Sequence, residues 1–171
     1  MSESAVLFVE AELTPSALAE VLAGALPDLR GTRTPDDEPF LARDLPDQQF
    51  ALGGVVADND LANAPADDEN ELPVAWQSAY DEYRLLWALR GYGTGEARER
   101  LLEQTARRLF EDVVAATDLQ VLLVCADHLV ALRLPGQAPV WFPDGTTPDE
   151  DGRDLWLPHR VHPGRHGPYP R

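Results

Sequence analysis

Lysine and isoleucine are absent from the 171-residue sequence, so all 14 basic side chains are arginine. Both missing residues use A/T-rich codons, and the pattern is that of a GC-rich bacterial gene rather than of a chemical requirement. Positive charge as a whole is scarce: 14 arginines face 30 Asp and Glu, a formal net charge of −16. That balance argues against nucleic-acid binding through phosphate contacts, which needs a basic patch. It argues equally against an anionic membrane surface. Cys125 is the only cysteine, which excludes an intramolecular disulfide and a cysteine-based metal cluster. There is no apolar run of about eighteen residues, so no transmembrane helix is expected. The opening stretch MSESAVLFVEAEL lacks a basic leader and carries Glu10 and Glu12 within its apolar part, so no signal peptide is expected and the chain reads as cytoplasmic. Serine occurs only at Ser2, Ser4, Ser16 and Ser78, and the G-x-S-x-G, P-loop and dinucleotide fingerprints are missing.

Leu, Val and Phe make up about a quarter of the chain, enough for one real core. All fifteen prolines lie before residue 74 or after residue 134, which leaves a proline-free centre suited to regular structure. A first strand is predicted over Ala5 to Leu13, with Ala5, Leu7, Val9 and Ala11 on one face. Thr14 followed by Pro15 starts a helix whose apolar face is Leu18, Val21, Leu22, Ala25 and Leu26. Residues 28–47 read as a polar, proline-broken connection. A short strand follows from Gln48 to Val56, weakened or bulged at Gly53-Gly54. A strand from Tyr80 to Arg90 fits the alternation of Tyr83, Leu85, Trp87 and Leu89 better than a helix does.

The clearest element is a helix from Gly95 to Thr117. Its buried stripe is Leu101, Leu102, Thr105, Ala106, Leu109, Phe110, Val113 and Val114. Glu96–Arg100, Glu103–Arg107 and Arg108–Asp112 lie on its outer face at i, i+4 spacing. Strands at Leu119–Cys125, Leu129–Leu134 and Ala138–Phe142 complete the order β-α-β-β-α-β-β-β. Two helices on one face of a mainly antiparallel sheet bury every apolar stripe, so the expected fold is an α+β two-layer sandwich. Residues 1–142 form this single domain with an acidic insert at 36–73, and 143–171 form a Pro/Gly/Arg/His-rich tail.

Segment 36–71 holds eleven carboxylates and one arginine. Its Asp58-Asn59-Asp60 run begins like a calcium loop, but no glycine follows at the sixth position and Pro65 interrupts it. One reading is a solvated acidic loop. The sharper one is an anionic docking surface for a basic protein, carried by Asp36, Asp37, Glu38, Asp58, Asp60, Asp67, Asp68, Glu69 and Glu71. His159, His162 and His166 are close enough to suggest a transition-metal site, but Pro158, Pro163 and Pro168 prevent helical presentation and no metal is assigned. Asp127-His128 resembles a catalytic dyad, although neighbours in a turn rarely point at one another. Cys125, inside LQVLLVC, reads as a buried small hydrophobe.

The strand YDEYRLLWALR, the helix ARERLLEQTARRLFEDVVAATD, the hairpin LQVLLVCADHLVALRLPG and the late DLWLPHR together resemble the SitI-type immunity proteins. These are partners that neutralise toxins delivered between bacterial cells. The likeness spans residues about 80–160, and the long acidic stretch and the His/Arg tail depart from the family pattern. The resemblance implies a non-enzymatic protein without a cofactor, whose partner is one cognate toxin; the charge adds that the toxin presents a basic surface. Two alternatives follow from the residues themselves. One is a small enzyme or metal-dependent protein using His128 and nearby carboxylates, and the other is a general acidic interaction module.

Overall fold

The structure, a computed structural model, describes residues 4–60 and 78–160. Eight strands form one open antiparallel sheet: β1 (Ser4–Glu10), β2 (Leu29–Arg33), β3 (Pro39–Leu45), β4 (Phe50–Asp58), β5 (Leu85–Gly93), β6 (Gln120–Cys125), β7 (His128–Arg133) and β8 (Val140–Trp141). Their spatial order is β2-β3-β4-β5-β1-β6-β7-β8. Helices α1 (Pro15–Ala25), α2 (Gly95–Ala116) and the short α3 (Arg153–Trp156) complete an α+β architecture. No helix among the described residues is long and apolar enough to cross a membrane.

Alternation assigns the two faces. Ala5, Leu7 and Val9 of β1 share one core with Leu52 and Val56 of β4, Trp87 and Leu89 of β5, and Val121 and Leu123 of β6. Leu18 and Leu22 of α1 and Leu102, Leu109 and Phe110 of α2 pack into that same core, so both long helices cover one face. Thr14 starts α1 as expected: its hydroxyl accepts from the Ala17 amide at 3.1 Å, and Pro15 opens the first turn. Thr94 precedes α2 in extended conformation but makes no side-chain cap. The Glu103–Arg107 pair forms on α2 (2.8 Å), whereas Asp112 turns to Arg43 instead of Arg108.

Three regions of the chain depart from the expectation. Within the anticipated connection and acidic insert, residues 29–45 form the hairpin of β2 and β3, and Leu41 and Ala42 are buried. Arg43 concealed this strand: it occupies a core-facing position where an apolar residue would have shown the period-2 pattern. The sheet seats it because Asp28 and Asp112 sit within 2.7 Å of its guanidinium. β4 begins at Phe50 and runs to Asp58. Pairing with β5 lapses at Gly54 and Val55 without a shift of register, so the glycines mark close packing and not a bulge.

The second departure is at Tyr80–Tyr83, which are not strand. Asp81 accepts from the Ser78 amide and hydroxyl, both at 2.7 Å, and folds 78–83 into a turn on the sheet's other face; β5 then begins at Leu85 and reaches Gly93. The third departure is the tail. Residues 143–160 pack against that same face, where Trp156, 2% exposed, joins Phe8, Tyr83, Leu122 and Leu132 in a second core. The Trp156 ring nitrogen donates to the Asp149 carbonyl at 3.0 Å. Arg160 reaches Glu82 at 2.8 Å, with side chains 6% and 2% exposed. Pro and Gly here supply turns around a single aromatic anchor.

Candidate functional site

Antiparallel pairing decides which carboxylates share an end of the sheet. Asp58 stands opposite Leu85, Leu85 opposite Val9, and Glu10 opposite Gln120. The end of β4, the start of β5, the end of β1 and the start of β6 are therefore at one edge. β3 enters at the same edge, because Phe40 pairs with Val55, and so does the β2–β3 turn of residues 34–38. Asp36, Asp37, Glu38, Asp58 and Asp60 are thus brought to one end of the molecule. All five are exposed. Asp67, Asp68, Glu69 and Glu71 lie outside the described residues.

The β2–β3 turn is a built structure. The Thr34 amide donates to the Glu38 carbonyl and the Asp37 amide to the Thr34 carbonyl, both at 2.9 Å. Asp37 takes the left-handed conformation (φ 63°) that a short polar side chain tolerates. Arg33 neutralises part of it, with Nη1 2.6 Å from the Asp37 carbonyl and 3.3 Å from its carboxylate. Asp36, Glu38, Asp58 and Asp60 make no ion pair among the described residues. Between Asp58 and Asp60, Asn59 is buried; its side-chain amide donates to the Tyr80 and Tyr83 carbonyls at 3.1 and 2.8 Å and so fixes where β4 ends.

Three further carboxylates at this end escape a reading of runs along the chain. Glu10, Glu12 and Asp118 line a cleft of about 340 Å³ with Arg84 and Gln120. Arg84 spans Glu10 (3.1 Å) and Glu12 (3.4 Å). The signal that finds them is positional: each stands at or just outside a strand end, Glu10 and Glu12 leaving β1 and Asp118 entering β6. The C-terminus of α2 also points here, but buried Arg133 donates to the Thr117 and Leu119 carbonyls at 2.7 and 3.0 Å and offsets the helix dipole. The remaining negative potential therefore comes from exposed side chains. Clustered like charges of this kind raise the local concentration of a basic partner and speed its encounter.

The other candidate residues are elsewhere. His128 is exposed at the start of β7, at the opposite end of the sheet. It shares a cleft of about 410 Å³ with Glu103, Asp144 and the buried Cys125. Burial pushes the Cys125 thiol up to about 12, with Glu103 adding to the shift, so it remains a protonated core group and not a nucleophile. His159 packs edge-on against Phe142 at 5.9 Å, and His162 and His166 lie outside the described residues. No group of three His, Cys, Asp or Glu side chains suited to a metal ion occurs among the described residues.

Comparison of the chain with family models, with curated proteins and with solved structures finds no match.

Proposed function

We propose that this protein is an immunity protein, a non-enzymatic inhibitor that binds and neutralises a cognate bacterial toxin. The observation that carries this reading is the convergence of exposed carboxylates from the β2–β3 turn, from the end of β4 and, at Glu12, from just beyond β1 on one end of the sheet. The likeness of residues 80–160 to SitI-type immunity proteins supplies the class, and the net charge of −16 supplies the complementarity. Toxins that act on nucleic acids present basic clefts, and a rigid anionic edge covers such a cleft by standing in for phosphate charge. A pull-down with the product of the adjacent toxin-like gene tests the reading. A salt-sensitive complex that abolishes toxin activity is expected, and no complex at low salt overturns it.

A further inference from the structure

The cleft around His128 lies at the end of the sheet remote from the acidic edge and plays no role in the docking reading. Its volume, about 410 Å³, is near the small end of the roughly 300–1,000 Å³ typical of small-molecule sites. One wall is the helix α2, which supplies Glu103 and Arg107. The others are the start of β7, with His128 and Leu129, and the segment after β8, with Phe142 and Asp144.

The frame is held in place. The Leu129 amide donates to the Thr146 carbonyl at 2.8 Å and the Phe142 amide to the Val130 carbonyl at 3.0 Å. The Thr146 hydroxyl, in turn, donates to the Pro143 carbonyl at 2.6 Å. Arg107 is fixed from two sides, stacked 5.8 Å from the Trp141 ring and donating through Nε and Nη2 to one oxygen of Glu103 at 2.9 and 2.8 Å. The β6–β7 turn between Cys125 and His128 is left-handed: Asp127 (φ 66°) is a residue that tolerates this backbone, whereas Ala126 (φ 46°) is strained in it.

The charges in this frame are of both signs and do not saturate one another. Among the described residues, the side chains of His128 and Asp144 make no hydrogen bond or ion pair, and Arg107 Nη1 and Glu103 Oε2 make no hydrogen bond. Beside them, Phe142 and Leu129 offer apolar surface, and the protonated Cys125 thiol adds an uncharged group. A cation and an imidazole near two carboxylates, next to an apolar wall, are the complement of a ligand with its own anion, cation and short hydrocarbon. We propose that this cleft binds a small zwitterion, a free α-amino acid with an apolar side chain. Its carboxylate is held by Arg107 and His128, and its ammonium by Asp144 and Glu103.

Amide NMR titration of the full chain with L-leucine tests this, with 4-methylpentanoate and 3-methylbutylamine as its two halves. Saturable shifts at residues 125–130 and 142–146 are expected with leucine, and each half should bind at least about tenfold more weakly, because each loses charged hydrogen bonds. Arg107→Gln should abolish the response to 4-methylpentanoate and retain that to the amine, and Asp144→Asn should do the reverse. Unchanged amide positions elsewhere in the same spectra report that each variant is folded. No saturable shift with leucine, or one that survives both substitutions, overturns the proposal.

Discussion

Nη1 of Arg43 donates to Oδ2 of Asp112 at 2.7 Å, joining the third strand to the last turns of α2. The same guanidinium lies 2.7 Å from Asp28 through Nε, and its side chain is only 7% exposed whereas the two carboxylates are 58% and 43% exposed. The asymmetry decides which substitution is harmful. Arg43→Met removes the buried charge and leaves two aspartates able to hydrate, so it should cost less than about 2 kcal/mol. The double variant Asp28→Asn/Asp112→Asn leaves the arginine buried without a counter-charge and should cost about 3–5 kcal/mol. Urea denaturation of the two proteins checks the order; the reverse order would show that the pair contributes more than it costs to bury.

Gly54 has β5 against its backbone: a Cβ there would collide with the Ala88 carbonyl oxygen, and its own carbonyl accepts from the Trp87 ring nitrogen at 3.1 Å. Gly54→Ala therefore has to push β4 away from β5 around a fully buried tryptophan. A loss of about 3 kcal/mol or more is expected. Gly31→Ala on the edge strand meets only the tip of Leu41 at 3.5 Å and should change stability by less than about 0.5 kcal/mol. Thermal unfolding of both variants separates steric contact from any general effect of replacing glycine in a strand.

The contrast between these strands explains what was legible in the sequence. Long periodic elements announce themselves: the stripe from Leu101 to Val113 and the all-apolar run of β6 are where their patterns put them. β2 and β3 did not, because Arg43 sits inward and Arg30, Gly31, Thr32 and Arg33 give the edge strand no apolar face. Residues 143–160 were obscured for a related reason, since Trp156 is their one deeply buried anchor and no periodicity surrounds it. The acidic edge was half visible. Runs such as Asp36-Asp37-Glu38 stand out along the chain, whereas Glu10, Glu12 and Asp118 join them only through strand pairing.

Cys125 links the core to pH. Cys125 is 2% exposed, and burial raises its thiol from an ordinary 9.0 to about 12. In the unfolded chain it ionises near the lower value, in the folded chain only near the higher. Between them the unfolded state alone releases the proton, so stability falls as pH rises, by about 1.4 kcal/mol per pH unit. Burial raises the Tyr83 hydroxyl as well and adds to the loss at the upper end. Cys125→Val should flatten the decline between about pH 9 and pH 11. Unfolding free energies measured across that window check it, and an unchanged slope would place the alkaline sensitivity on other groups.

If the acidic edge is the docking surface, position and not total charge should govern association. Asp36, Glu38, Asp58 and Asp60 are exposed and unpaired among the described residues, so reversing them to Arg leaves the fold's contacts intact. The fourfold variant should slow association with the cognate toxin by about tenfold or more at low salt and change the melting temperature little. The salt dependence of the association rate should flatten with it. A matched pair of single variants isolates the effect: Asp58→Arg acts at the acidic edge, and Asp47→Arg, in the exposed turn between β3 and β4, makes the same charge change at the far end. Stopped-flow association is expected to slow with Asp58→Arg and to change far less with Asp47→Arg. Equal slowing would assign the attraction to net charge alone and remove the edge as the binding surface.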